Sequence, residues 1–204
     1  GQIAVESGAV IISDEVHCEL LFDGVKHTPF ASISDEFAQN SLVCMSASKT
    51  FNLAGLAASV IIIPNPKLRL EFQRARSGIM PQPDIMAMTA LEAAFGDGDE
   101  WLEQLLAYLQ DNLDYLISFF KSRIPEIKVI RPEGTYLVWL DCRELNMHKM
   151  QLREFFIHQA GVGLDDGAAF GPGGEGFQRM NIACPKATLT EALERIEKAV
   201  KGAG

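Results

Sequence analysis

The sequence predicts an α/β fold in two parts, a mixed and mostly parallel sheet with helices followed by a small α+β domain. Three observations lead there. Over the first hundred residues, short apolar runs with β-branched residues alternate with stretches of helical period. A long leucine stripe then marks one helix over 100–123. After it, strands and helices follow one another without a regular βαβ alternation. The expected division is therefore residues 1–99, a connecting helix over 100–123, and a small domain over 124–204.

Taken in order, Gln2 to Ser7 reads as the end of a helix, and Gly8 to Ser13 enters at once on an apolar strand. A strand buried on both faces needs neighbours, and too few strands accompany this one for a complete doubly wound sheet. The chain thus reads as starting inside an α/β unit. Ala9 to Ser13, Leu42 to Ser46 and Ala57 to Ile63 are bounded by polar or turn residues and are expected as buried strands. Pro64-Asn65-Pro66 interrupts the sheet. Leu68, Phe72, Ala75 and Ile79 then recur at helical spacing along the helix expected from Lys67 to Arg76. Pro81-Gln82-Pro83 stops or bends it, a second helix runs from Asp84 to Ala94, and Gly96-Asp97-Gly98 forms a loop. The stripe of Leu102, Leu105, Leu106, Leu109, Leu113, Leu116 and Phe120 defines the long helix. Thr135 to Asp141 and Gln178 to Ala183 read as strands, and Gln151 to Ala160 as a helix. The last helix is expected to begin at a capping box, Thr188-x-x-Glu191, and to bury Leu189, Leu193, Ile196 and Val200.

Composition narrows the function classes. The 204 residues are 48% hydrophobic and 22% charged, as in globular proteins that bury a core. A chain of this length hides roughly 70% of its unfolded surface, so no disulfide or metal is needed to hold it together. A net charge of −9 lacks the clustered basic footprint of a nucleic-acid surface. Cys18, Cys44, Cys142 and Cys184 form no C-x-x-C pair, so neither a zinc site nor a disulfide framework is expected. Asp165-Asp166 has no histidine or third carboxylate at ligand spacing and reads as a solvated turn rather than a metal site. The longest apolar run, Leu53 to Ile63, is too short to span a bilayer, and no leader is visible; a cytoplasmic setting is expected.

Two residues carry the chemistry. Lys49 lies in Ser46-Ala47-Ser48-Lys49-Thr50-Phe51-Asn52-Leu53-Ala54-Gly55-Leu56, and Asp14 in Ser13-Asp14-Glu15-Val16-His17. An amine that forms an imine with a carbonyl cofactor, and a carboxylate that keeps a pyridine nitrogen protonated, are the requirements of pyridoxal phosphate. Other motif matches are weaker. Ser46-x-x-Lys49 fits S-x-x-K of penicillin-recognising enzymes, but the companion S-D-N and K-T-G are missing. Gly171-Pro172-Gly173-Gly174-Glu175-Gly176 fits G-x-G-x-x-G, but a strand rather than a helix follows it. It is expected as a loop near the substrate mouth.

With the segments Gly134-Thr135-Tyr136-Leu137-Val138-Trp139-Leu140-Asp141 and Gln178-Arg179-Met180-Asn181-Ile182-Ala183-Cys184-Pro185, these motifs resemble the class I and II aminotransferases of pyridoxal phosphate fold type I. Within them they most resemble cystathionine beta-lyases of the MalY/PatB type. The resemblance covers nearly the whole chain and implies the C-terminal part of a larger enzyme: the end of the large cofactor-binding domain, then the small domain. It implies pyridoxal 5'-phosphate as cofactor, held by Lys49 with Asp14 on the ring nitrogen, and Ser46 and Ser48 near the phosphate. Arg179 matches the arginine that grips the α-carboxylate of an amino-acid substrate.

Two positions depart from the aminotransferase pattern. His17 replaces a tyrosine and is either a donor to the cofactor's ring hydroxyl or a packed core residue. Ala57 replaces a phosphate-binding arginine, leaving the phosphate to hydroxyls, backbone amides or a partner chain. The implied activity is carbon-sulfur β-elimination on an L-amino acid such as cystathionine or a cysteine conjugate. Transamination and a non-enzymatic regulatory or protein-binding role are the alternatives. The resemblance also implies a homodimer and a pocket completed by other segments, so this chain alone is expected to bind the cofactor weakly or not at all.

Overall fold

The computed structural model describes residues 1–22 and 24–202. They form two compact units, Gly1–Gln104 and Leu105–Gly204.

The first unit opens with helix α1 (Gln2–Glu6), strand β1 (Ile11–Asp14), helix α2 (Asp35–Gln39) and strand β2 (Ser41–Met45). A short helix α3 (Ala47–Thr50), strand β3 (Val60–Ile62) and helices α4 (Pro66–Arg76) and α5 (Ile85–Asp97) follow. Local chemistry sets several of these boundaries. Ser34, Asn65 and Asp84 each accept hydrogen bonds from backbone amides at a helix start, and Pro66 occupies the first helical position, where no amide donor is needed. The sheet order is β1-β2-β3, parallel between β1 and β2 and antiparallel between β2 and β3.

Burial departs from the expectation for these strands. The central strand β2 is buried at Leu42 and Val43, but Ile12 of β1 is 71% exposed and β3 is exposed throughout. Burial of a strand's side chains requires a layer packed over its face, and among the described residues none covers Ile12 or β3. Among the described residues, β2 alone in this sheet has a hydrogen-bonded neighbour on both sides, and the apolar runs at 9–13 and 57–63 yield its edge strands.

Helix α6 (Asp99–Arg123) starts in the first unit and continues into the second as a single 25-residue helix, with acidic residues in its first turn and Lys121 and Arg123 in its last. Its stripe buries Leu109, Leu113, Leu116 and Phe120. Beyond it come β4 (Lys128–Ile130), β5 (Leu137–Asp141), helix α7 (Lys149–Glu154), β6 (Asp165–Asp166), β7 (Phe177–Asn181) and helix α8 (Lys186–Gly202). These strands form an antiparallel sheet of order β4-β5-β7-β6. The amide of buried Asn112 on α6 donates to the carbonyls of Ile182 and Cys184 at 2.9 and 3.1 Å, fixing the chain where it leaves β7.

Three local expectations change. The helix over 151–160 is α-helical only to Glu154 and then widens into a π-helical turn, Phe155–Gln159, closed by the Ala160 amide on the Phe155 carbonyl. The last helix begins before Thr188: the Leu189 amide already donates to the Pro185 carbonyl, so Thr188 lies inside the first turn and is not its cap. Asp165-Asp166 is a short strand paired with β7, not a solvated turn.

Candidate functional site

The carboxyl ends of the parallel strands β1 and β2 form one edge of the first unit. Asp14 closes β1 opposite Cys44 of β2, and Ser46 to Lys49 follow directly after β2. Open α/β sheets use this edge to bind ligands, because side chains and helix N-termini converge there. The structure therefore brings five predicted residues, Asp14, His17, Ser46, Ser48 and Lys49, to two neighbouring strand ends. Arg179 lies in the second unit, on β7.

Asp14 is exposed, and its Oδ1 accepts a 3.3 Å hydrogen bond from the Val16 amide. Lys49 is exposed in the single turn of α3, and no acceptor among the described residues engages its Nζ. His17 is half-buried in the turn after β1.

Ser46 and Ser48 separate in role. The buried Ser46 hydroxyl donates its proton to the Ala58 carbonyl at 2.7 Å and accepts from the Ser48 amide at 3.1 Å. It caps α3 and ties that turn to the return loop, so no proton is left for an anion. The Ser48 hydroxyl makes no hydrogen bond among the described residues.

Ala57 ends the turn after α3 in the left-handed conformation, φ 50° and ψ 42°. It lines an open groove of ≈ 490 Å³ with Leu56, Ile61, Arg69, Phe72 and Met80. None of the five site residues lines that groove.

Glu15 and His27 escaped sequence reasoning. Glu15, 6% exposed, accepts from the Ser13 hydroxyl at 2.9 Å and the Phe30 amide at 2.9 Å, and its other oxygen meets His27 Nε2 at 2.7 Å. Its own amide donates to the Cys44 carbonyl. Burial pushes this carboxyl up, but the bonds from His27, Phe30 and Ser13 outweigh it and hold the group below the usual carboxylate range. Glu15 thus fastens the residue after Asp14 to both β2 and the 27–30 segment. The only sequence signal was an acid directly after a strand-end acid, with a histidine twelve residues on.

Arg179 stands between two strands, opposite Trp139 of β5 and Asp165 of β6. Its Nε and Nη2 donate to one Asp165 oxygen at 3.0 and 2.8 Å, and its guanidinium carbon lies 4.5 Å from the centre of the Phe170 ring. The glycine-rich loop enters β7 just before it. A Cβ on Gly174 would sit 2.0 Å from the Gly167 carbonyl oxygen, so these two backbones pack directly and the loop is a structural turn. Among the described residues no cluster of three metal-binding side chains occurs, the four cysteines are free, and no helix is long and apolar enough to cross a membrane.

A family model described as aminotransferase class I and II matches residues 1–196. Cystathionine beta-lyase PatB of Bacillus subtilis is 41% identical over 98% of this chain and 52% of its own length. Protein MalY of Escherichia coli is 32% identical, covering 95% of this chain and 50% of its own. Among solved structures, cystalysin of Treponema denticola, described as containing a pyridoxal 5'-phosphate cofactor, superposes with a TM-score of 0.95. It is 38% identical, and the match covers all of this chain and 52% of cystalysin. The chain spans about half the length of the relatives it matches.

Proposed function

The chain belongs to the class I and II aminotransferase family, and from that premise we propose that it serves a pyridoxal 5'-phosphate-dependent carbon-sulfur β-elimination on an L-amino acid such as cystathionine or a cysteine conjugate. One observation carries the reading: an exposed carboxylate, Asp14, and an exposed amine, Lys49, stand at the carboxyl ends of adjacent parallel strands. Similarity to cystathionine beta-lyase PatB supports the choice of lyase over other chemistries of the family.

The residues present fit the cofactor. Asp14 Oδ2 receives no hydrogen bond among the described residues and is open to a cationic ring N–H. Lys49 is uncommitted, and the Ser48 hydroxyl is the donor left for the phosphate once Ser46 is spent on Ala58. When bound, the cofactor supplies an electron sink for a carbanion at the substrate Cα.

The chain's own residues do the rest. Asp14 holds positive charge at the ring nitrogen. Lys49 removes the Cα proton as general base, and the thiolate on Cβ leaves with the bonding electrons. Arg179 binds the substrate's α-carboxylate through paired N–H donors. The thiolate takes up a proton and departs as the thiol, and hydrolysis of the remaining three-carbon unit yields pyruvate and ammonia. Assembly as a homodimer belongs to the same proposal and is read by sedimentation equilibrium.

The test gives L-cystathionine to the protein expressed from its natural gene. Pyruvate, ammonia and thiol formed without any 2-oxo acid support the lyase; transfer of the amino group in proportion to added 2-oxo acid refutes it. In parallel, titration with pyridoxal 5'-phosphate should give a visible absorbance band that Lys49→Ala removes.

A further inference from the structure

Arg179 is already partly occupied, and the way it is occupied leaves one edge open. A guanidinium has five N–H donors in a plane. Asp165 takes the Nε–H and one Nη2–H on a single oxygen, along the inner edge. The guanidinium carbon lies over the Phe170 ring, 4.5 Å from its centre, and Phe170 in turn meets Trp139 edge-on with ring centres 5.4 Å apart. The outer edge, Nη1 with the second Nη2–H, has no acceptor among the described residues. That edge matches the two oxygens of a carboxylate.

The register makes this arrangement a property of the backbone. Trp139, Arg179 and Asp165 are successive partners across β5, β7 and β6, so their side chains share one face of the sheet. Gln178 and Met180, on either side of Arg179, point to the other face and are buried at 1% and 2% exposure. The arginine stem therefore cannot turn over without breaking the strand.

We propose that Asp165 is a positioning residue for substrate: its paired hydrogen bonds lock the Arg179 guanidinium in place against Phe170, so that the outer Nη1/Nη2 edge is presented to the α-carboxylate. This rests on the reading that Arg179 binds that carboxylate. Without Asp165, the long side chain samples rotamers that binding must then freeze, and substrate affinity falls while the chemical step does not.

The experiment uses the cofactor-loaded protein and two non-eliminating ligands, L-alanine and L-alaninamide, titrated by calorimetry. Asp165→Ala should weaken L-alanine about tenfold, the cost of immobilising one rotamer-rich side chain. It should leave L-alaninamide unchanged. Asp165→Asn, which keeps an acceptor for Nε–H, should recover most of the loss. With L-cystathionine, KM should rise and kcat stay near its original value. Equal weakening of acid and amide, no change in either, or tighter L-alanine binding by Asp165→Ala would each overturn the proposal; the last would make Asp165 a competitor of substrate. Arg179→Ala separates the two readings. If it leaves the ratio of acid to amide affinity unchanged, the assignment of Arg179 itself fails. If that ratio collapses while Asp165→Ala has no effect, only the positioning role fails.

Discussion

Replacing Glu15 by alanine should destabilise the first unit by about 3 kcal/mol. Three donors converge on this buried carboxylate: the Phe30 amide, the Ser13 hydroxyl and His27. A hydrogen bond to a charged group contributes about 1.5–3 kcal/mol, so simple addition would give roughly twice the stated loss. Addition overstates it because the His27 side chain is 31% exposed and rehydrates, as does the half-buried Ser13. The lasting cost is the stranded Phe30 amide and the freed 27–30 segment. Urea unfolding followed by far-UV circular dichroism measures the effect, with Glu15→Gln as control because it keeps an acceptor for Phe30. The pH dependence has a fixed sign. The folded carboxyl titrates below its unfolded value, so its contribution is complete above the unfolded pKa and is lost as pH falls through the folded one. A loss under about 1 kcal/mol for Glu15→Ala, or equal losses for alanine and glutamine at neutral pH, would refute the idea that this ionised side chain anchors the loop.

Ser46→Ala should cost about 1–2 kcal/mol in urea unfolding, since it removes both the cap on α3 and the tie to Ala58. Asn112→Ala leaves the Ile182 and Cys184 carbonyls without their side-chain donor and should cost about 2–3 kcal/mol by the same assay. Ala57→Gly should be stabilising by about 0.5 kcal/mol, the left-handed strain of alanine less the extra entropy of glycine, read as a raised melting temperature. Cys142 should be the last thiol to react with a disulfide reagent at pH 8. Burial first, and then the Asp141 carboxylate, push it up to about 12, and unfolding should abolish its protection.

Elements whose signal is local were legible in the sequence. The apolar stripe of α6 and the strand around Val43 depend on residues a few positions apart, and both form where the pattern puts them. Burial of β1 and β3 was not legible, because an apolar run reports only that a strand prefers to be covered. Whether another layer covers its face is a matter of packing between segments distant in sequence. The Thr188-x-x-Glu191 pattern misled for a related reason. Serine and threonine with a later acid mark a helix start only where the preceding residues cannot be helical, and here Pro185 lets the helix begin earlier.

The candidate site was legible in its reactive groups and opaque in their supports. Asp14 and Lys49 could be found because chemistry restricts the residue type. Glu15 with His27, and Asp165 with Arg179, depend on contacts made across a loop or a strand register that no spacing rule encodes. Yet each support stands in a consistent relation to the group it serves. Asp14 is exposed beside buried Glu15, Lys49 is exposed beside buried Thr50, and Arg179 lies between buried Gln178 and Met180. Adjacent residues face opposite ways on a strand and about 100° apart on a helical turn, so one side chain can be committed to the fold while its neighbour stays free. Stability and chemistry should then separate by single positions. Lys49→Ala should abolish the visible imine absorbance while changing unfolding stability by less than about 0.5 kcal/mol, whereas Glu15→Ala should do the converse first, losing stability before chemistry. If Lys49→Ala instead destabilised the fold as strongly as Glu15→Ala, the exposed ammonium would have to be part of the structural framework, and the division between reactive group and support would not hold.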